Sequence, residues 1–269
     1  TNSVDGSGAI YNALNQLPEV PARNPDGSFG MQTENMYGTY FSNPLSDLIQ
    51  NENYSRSTQV YVNAFADIKL WKGLVFRTEY AANYNYNTGY RFTPSYDYEF
   101  FKQQSSASRS AGNGSNWTLK TYLTYNGTFG KHNVSVMAGH EAQENNWESL
   151  DGSRTNFLFN SVHELNAGDA TTAKANSSRG SSAIESYFGR LNYNFADRYL
   201  LTATLRADGS SSFAKESRWG WFPSVALAWK VNNEAFLKDV EAINSLKLRL
   251  GWGVVGNQWA GSYAYGVTM

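Results

Sequence analysis

The chain has 269 residues, a formal net charge of −1, 17% charged residues and 15% aromatics. That balance leaves no footprint for nucleic acid. The absence of cysteine removes disulfides, thiolate zinc sites and cysteine nucleophiles. Few charges with many Tyr and Trp suit surfaces that meet both an apolar and a wet phase. A Tyr-rich soluble β-protein that binds carbohydrate is the alternative. No apolar run approaches the roughly 18 residues of a membrane-crossing helix. The opening "TNSVDGSGAIYNAL" carries no signal peptide and reads as a mature form or a fragment.

Residues 1–57 read as an irregular lead-in, with Pro18, Pro21, Pro25, Pro44 and the turn "NPDG". From there a period of two persists to the end of the chain. In 58–70, Val60, Val62, Ala64, Ala66, Ile68 and Leu70 share one face. Across "WKG", 74–86 sets Phe76, Tyr80 and Tyr84 against Arg77, Glu79 and Asn83. Strand 117–129 sets Trp117, Leu119 and Leu123 against Lys120 and Tyr122, and 134–144 alternates more weakly. In 184–195, Tyr187, Leu191 and Tyr193 oppose Arg190 and Asn192. In 199–207, Tyr199, Leu201 and Leu205 oppose Thr202, Thr204 and Arg206. Strand 222–231 carries Val225, Leu227 and Trp229, and 246–255 sets Leu248, Leu250 and Trp252 against Lys247 and Arg249.

These are about eight strands of roughly 8 to 13 residues, longer than the usual 5 to 6 of globular sheets. A tilted membrane-spanning strand needs about 9 to 11. Short and long connections alternate: tight turns near 72, 131 and 197, long loops over 87–116, 145–183 and 208–221. Outer-membrane barrels sort their connections this way. Residues 232–245 break the pattern, and Phe236, Leu237, Val240 and Ile243 predict a short helix on the tight-turn side. Aromatics gather at both strand ends, with Trp71, Phe129, Phe195 and Tyr199 at one and Tyr84, Tyr86, Trp117 and Tyr187 at the other. Two such bands fit the two bilayer interfaces. The fold class is therefore all-β, an antiparallel transmembrane barrel segment spanning 58–269. The charged side chains Arg77, Glu79, Lys120, Arg190, Arg206, Lys247 and Arg249 are expected to face the lumen.

Chemistry-bearing motifs are few. "GWGVVG" (Gly251, Gly253, Gly256) matches a dinucleotide-binding fingerprint, but the strand alternation runs through its first two glycines and no helix period follows. Gly251 and Gly253 are read as small inner-face residues. His132, His140 and His163 are scattered, so no metal site, cofactor or catalytic group is expected. Glu141 and Glu144 read as solvated loop or lumen charges rather than a catalytic pair. Loop aromatics Tyr96, Tyr98, Phe100, Trp147, Trp219 and Trp221 offer flat faces to sugars or peptides, or pack the loops together.

The stretch 185–258 resembles the SusC/RagA family of TonB-dependent outer-membrane transporters of Bacteroidetes, through "YFGRLNYNFADRYLLTATLRADGSSSF", "RWGWFPSVALAW", "EAFLK" and "LKLRLGWGVVGNQ" in family order. "NPDGSFG" and the earlier hairpins resemble it more weakly. Trp252 stands where the family usually has a tyrosine. The resemblance implies a barrel of about 22 strands with short periplasmic turns and long extracellular loops. The plug, the TonB-interacting segment and the terminal strands would lie outside this chain, and 1–57 would be extracellular. It further implies TonB-driven import of oligosaccharides or peptides, a SusD-like lipoprotein partner, and contact with outer-membrane lipid. Substrate-path candidates are Trp147, Arg206, Asp208, Arg218, Trp219 and Trp221. A passive porin and a soluble carbohydrate-binding sandwich are the alternatives.

Overall fold

A computed structural model describes residues 6–31, 42–98, 101–237 and 243–257. Two helices come first, α1 (Gly6–Asn15) and α2 (Pro44–Gln50). The strands follow: β1 (Glu52–Trp71), β2 (Leu74–Thr93), β3 (Tyr96–Tyr98), β4 (Phe101–Gln103), β5 (Ser106–Phe129) and β6 (His132–Thr155), then β7 (Lys174–Phe195), β8 (Tyr199–Ser210), β9 (Trp219–Lys230) and β10 (Lys247–Gly253). Eight of them form one sheet in the order β1-β2-β5-β6-β7-β8-β9-β10, and β3 and β4 pair separately. Neighbours in the sheet are thus consecutive wall strands, as in an up-and-down barrel wall. The chain divides into two compact units, residues 1–59, 85–114 and 147–180, and residues 60–84, 115–146 and 181–269.

In the first unit, the lead-in expected to be irregular contains α1 and α2. The Asn43 side chain accepts from the Leu45 and Ser46 amides, and Pro44 opens the helix with φ already fixed. Asn12 on α1 donates to Asp47 on α2 at 3.2 Å. The wall strands also run further than expected, to 20 residues in β1 and β2, 24 in β5 and β6, and 22 in β7. The connection expected over 145–183 shrinks to 156–173, because β6 and β7 stay paired there. Ser149 meets Ser178 at 2.7 Å, and Asn176 donates to Asp151 at 3.1 Å. The β7 extension, "KANSSRGSS", is polar on both faces, so it carries no two-residue apolar signal. Phe92, Tyr90, Ala107 and Phe157 bury a small core. Phe92 packs edge-on to Phe157 and stacks on His163. Arg109 holds Glu164 at 3.0 Å and lies over Tyr90.

In the second unit the turns are tight. Gly73 closes β1 to β2 at φ 81°, a left-handed value that a side chain resists. The register aligns Tyr199 with Trp229, Leu201 with Leu227 and Ala203 with Val225. Leu248, Leu250 and Trp252 continue these rows on β10. That face carries exposed Leu205, Val225, Leu227, Leu248, Leu250 and Trp252. The opposite face carries Thr202, Thr204 and Arg206 beside Ala226, Ser224 and Phe222.

Aromatic rows bound the apolar face. Tyr199 and Trp229 form one; ten positions along β8, Gly209 lies opposite Trp219. Ten residues span about 34 Å along a strand. At a tilt of about 40° this is about 25 Å of height, the usual apolar band of outer-membrane barrels. Below the first row, Glu234 accepts from Tyr199 Oη at 2.7 Å, Trp229 Nε1 at 3.0 Å and Arg198 at 3.1 Å. These donors, the Tyr199 hydroxyl foremost, hold its carboxyl below the usual glutamate range. Of the short helix expected over 232–245, the described residues show one 3-10 turn, Val231–Asn233, and a bend and turn through 237, while 238–242 lie outside the described residues. Val240 lies outside the described residues, as does Phe100.

Candidate functional site

The polar face of the second unit carries two clusters of charges. On β8, "LRAD" places Arg206 and Asp208 two residues apart and hence on one side. Arg206 Nε meets Asp208 at 2.6 Å, and another guanidinium nitrogen donates to Ser186 Oγ at 2.8 Å. Ser186 is fully buried. Arg206 also reaches Glu141 on β6 at 3.6 Å, and Glu141 is shared with Lys120 on β5 at 3.3 Å. Further along the sheet, Arg77 pairs with Glu79 at 2.5 Å and Asp67 at 3.4 Å, while Tyr122 donates to Glu79 at 3.0 Å. Arg77 also lies over the Phe65 ring, at 4.6 Å.

The charged residues singled out in sequence thus divide. Arg77, Glu79, Lys120 and Arg206 belong to these clusters. Register places Lys247 opposite Lys230 and Arg249 opposite Ala228, and Arg190 opposite Thr204, on the same polar face. Arg190, Lys247 and Arg249 make no ion pair among the described residues. Sequence reasoning put Asp67 on the face opposite the Val60–Leu70 row and took Glu141 as a solvated loop or lumen charge, but paired neither, because an alternation pattern does not say which charges meet.

At the outer end of β8 and β9 the polar face opens into a groove of about 600 Å³. Glu141, Arg206, Asp208, Arg218 and Phe222 line it, with Val254 to Asn257 as one wall. Three substrate-path candidates, Arg206, Asp208 and Arg218, therefore meet. Trp219 borders the groove, but register puts it opposite Gly209 on the apolar side, with its ring 5.9 Å from Tyr187. Trp221 pairs with Ala207 on that side too. Trp147 lies in the other unit, where its ring covers Gly180.

The "GWGVVG" stretch builds a wall of this groove. Gly253 sits opposite Ser224, and the chain then leaves the sheet after the Val254 amide donates to Pro223 O at 2.9 Å. A Cβ at Gly256 would overlap the Phe222 ring, so a side chain there would have to push that ring aside. Gln258 lies outside the described residues. Glu141 and Glu144 do not form a pair: Glu144 accepts from Trp117 Nε1 at 3.2 Å, while Glu141 joins the polar cluster.

Residues 3–266 match the family model "TonB dependent receptor-like, beta-barrel". TonB-dependent receptor P3 of Formosa agariphila is 31% identical over 258 residues, 96% of this chain and 26% of that protein. TonB-dependent receptor SusC of Bacteroides thetaiotaomicron is 40% identical over 154 residues, 56% of this chain and 15% of SusC. Among solved structures, the RagAB peptide transporter superposes with a TM-score of 0.79 at 22% identity, covering 88% of this chain and 27% of its own. The chain thus spans about a quarter or less of the length of these relatives. It belongs to the TonB-dependent receptor β-barrel family, with SusC among its relatives and the fold of the RagAB peptide transporter.

Proposed function

We propose that this chain is a wall segment of an outer-membrane importer of oligosaccharides or peptides, energised through TonB and working with a SusD-like surface lipoprotein. It carries no catalytic role in this reading. One observation carries the membrane placement: the two-faced sheet, whose exposed apolar side lies between aromatic rows ten positions apart. Lipid takes the apolar side, since backbone groups are already paired between strands. The charged side faces the lumen. A soluble sandwich would cover its apolar face with a second sheet, and here Leu227, Leu248 and Leu250 are 50%, 56% and 75% exposed. Membership of the TonB-dependent receptor family supports import, and the shared fold of the RagAB peptide transporter supports the peptide class.

Uptake by cells expressing the full-length receptor tests this. Accumulation of labelled oligosaccharide should stop on TonB deletion or on collapse of the proton gradient. Accumulation that persists down the concentration gradient alone supports a passive porin instead.

A further inference from the structure

We infer that the groove at the outer end of β8 and β9 is a subsite for an acidic sugar, with Arg218 as the carboxylate anchor. This rests on the import reading and deepens it. Two arginines and two acids line the groove. Arg206 is engaged by both acids, Glu141 and Asp208, and Glu141 also holds Lys120. Those four charges cancel. Arg218 makes no ion pair among the described residues, and its Nε is buried without a hydrogen-bond partner. Arg218 lines the groove with a charge that no acid among the described residues offsets, which favours an anionic group from outside the protein there. The guanidinium fork matches a carboxylate with two parallel bonds.

The surroundings suit a sugar ring. Phe222 shares the polar face with Arg206, opposite it in the register, and adds apolar surface to the groove wall. Gln143 and Ser210 supply groups that both donate and accept, as sugar hydroxyls do. The volume of about 600 Å³ falls within the roughly 300–1,000 Å³ of small-ligand sites. A peptide carboxylate could also reach Arg218. Peptides that bind sheets, however, add to a free strand edge. Here β8 pairs with β7 and β9, and β9 with β8 and β10, so the groove floor offers no such edge.

Calorimetry on the full-length receptor, purified in detergent, tests the inference with a hexuronic-acid oligosaccharide and its carboxyl-reduced neutral counterpart. The acid should bind about 10- to 100-fold more tightly, the range of a charged hydrogen-bonded contact. Arg218→Ala should erase that preference, and Arg218→Glu should reverse it while neutral binding stays. A thermal melt checks that both variants fold. Equal affinity for the pair, binding of neither, or a preference unchanged in Arg218→Ala overturns the proposal. So does Arg218-dependent binding of an acidic peptide without the uronate. Uptake is scored separately. Arg218-dependent binding without TonB-dependent uptake sinks the import reading alone; TonB-dependent uptake without the acid preference sinks only this site.

Discussion

Arg206 on β8 reaches across β7 to Glu141 on β6, with 3.6 Å between guanidinium nitrogen and carboxylate oxygen. The same carboxylate holds Lys120 on β5 at 3.3 Å. One glutamate therefore neutralises two cations drawn from strands on either side of its own. Glu141→Ala leaves Lys120 and Arg206 facing each other without it. We expect the full-length receptor to lose about 1 kcal/mol, the upper range of partly exposed pairs. Denaturant titration in detergent measures this. In the Lys120→Ala, Glu141→Ala double variant, the losses should fall short of the sum of the singles.

Val225 lies opposite Ala203 and Trp252, near mid-height between the aromatic rows. Val225→Arg should cost about 2–4 kcal/mol of folding into lipid, the range for a midplane cation on a barrel's outer face. Thr202→Arg, on the polar side, should cost far less. Refolding yield into vesicles reads both. Equal yields would contradict the assignment of faces.

Glu234 ties Tyr199, Trp229 and Arg198 together beneath the lower aromatic row. Its carboxyl sits below the ordinary value of 4.5. A depressed folded value means the stabilisation is complete above the unfolded glutamate's value and is lost as pH falls through the folded one. Melting temperature should thus fall on acidification below that point. Glu234→Gln should melt lower at neutral pH and lose this part of the acid sensitivity.

Gly256 lies where any side chain would enter the Phe222 ring. Gly256→Val should cost about 1–3 kcal/mol, as overpacking does. Phe222→Ala in the same molecule should recover part of that loss by making room. Thermal melts of the two single variants and the double variant check this.

Much of the wall was legible in sequence, because lipid and lumen impose opposite demands on alternate residues. Leu201, Leu227 and Leu250 fall in one row, as their alternation predicts. Legibility stops where that contrast stops. The extension of β7 through "KANSSRGSS" is polar on both sides, so the sequence there read as loop. Trp219 and Trp221 read in sequence as flat faces for a ligand or as loop packing, and Trp219 does border the groove. Strand parity puts them opposite Gly209 and Ala207, on the apolar face. α2 left a signal that was passed over, since "NPLSD" joins an Asn cap, an opening proline and an early acid.

The sequence by itself determined the two faces, the tight turns and the family, because each is written in neighbouring residues. Only the tertiary structure decided which charges meet. Lys120, Glu141 and Arg206 stand on different strands, and their pairing depends on how each strand registers with the next. It likewise decided what the glycines of "GWGVVG" do. Gly256 lets the chain leave β10 and close over Phe222, a contact between segments that no local pattern encodes.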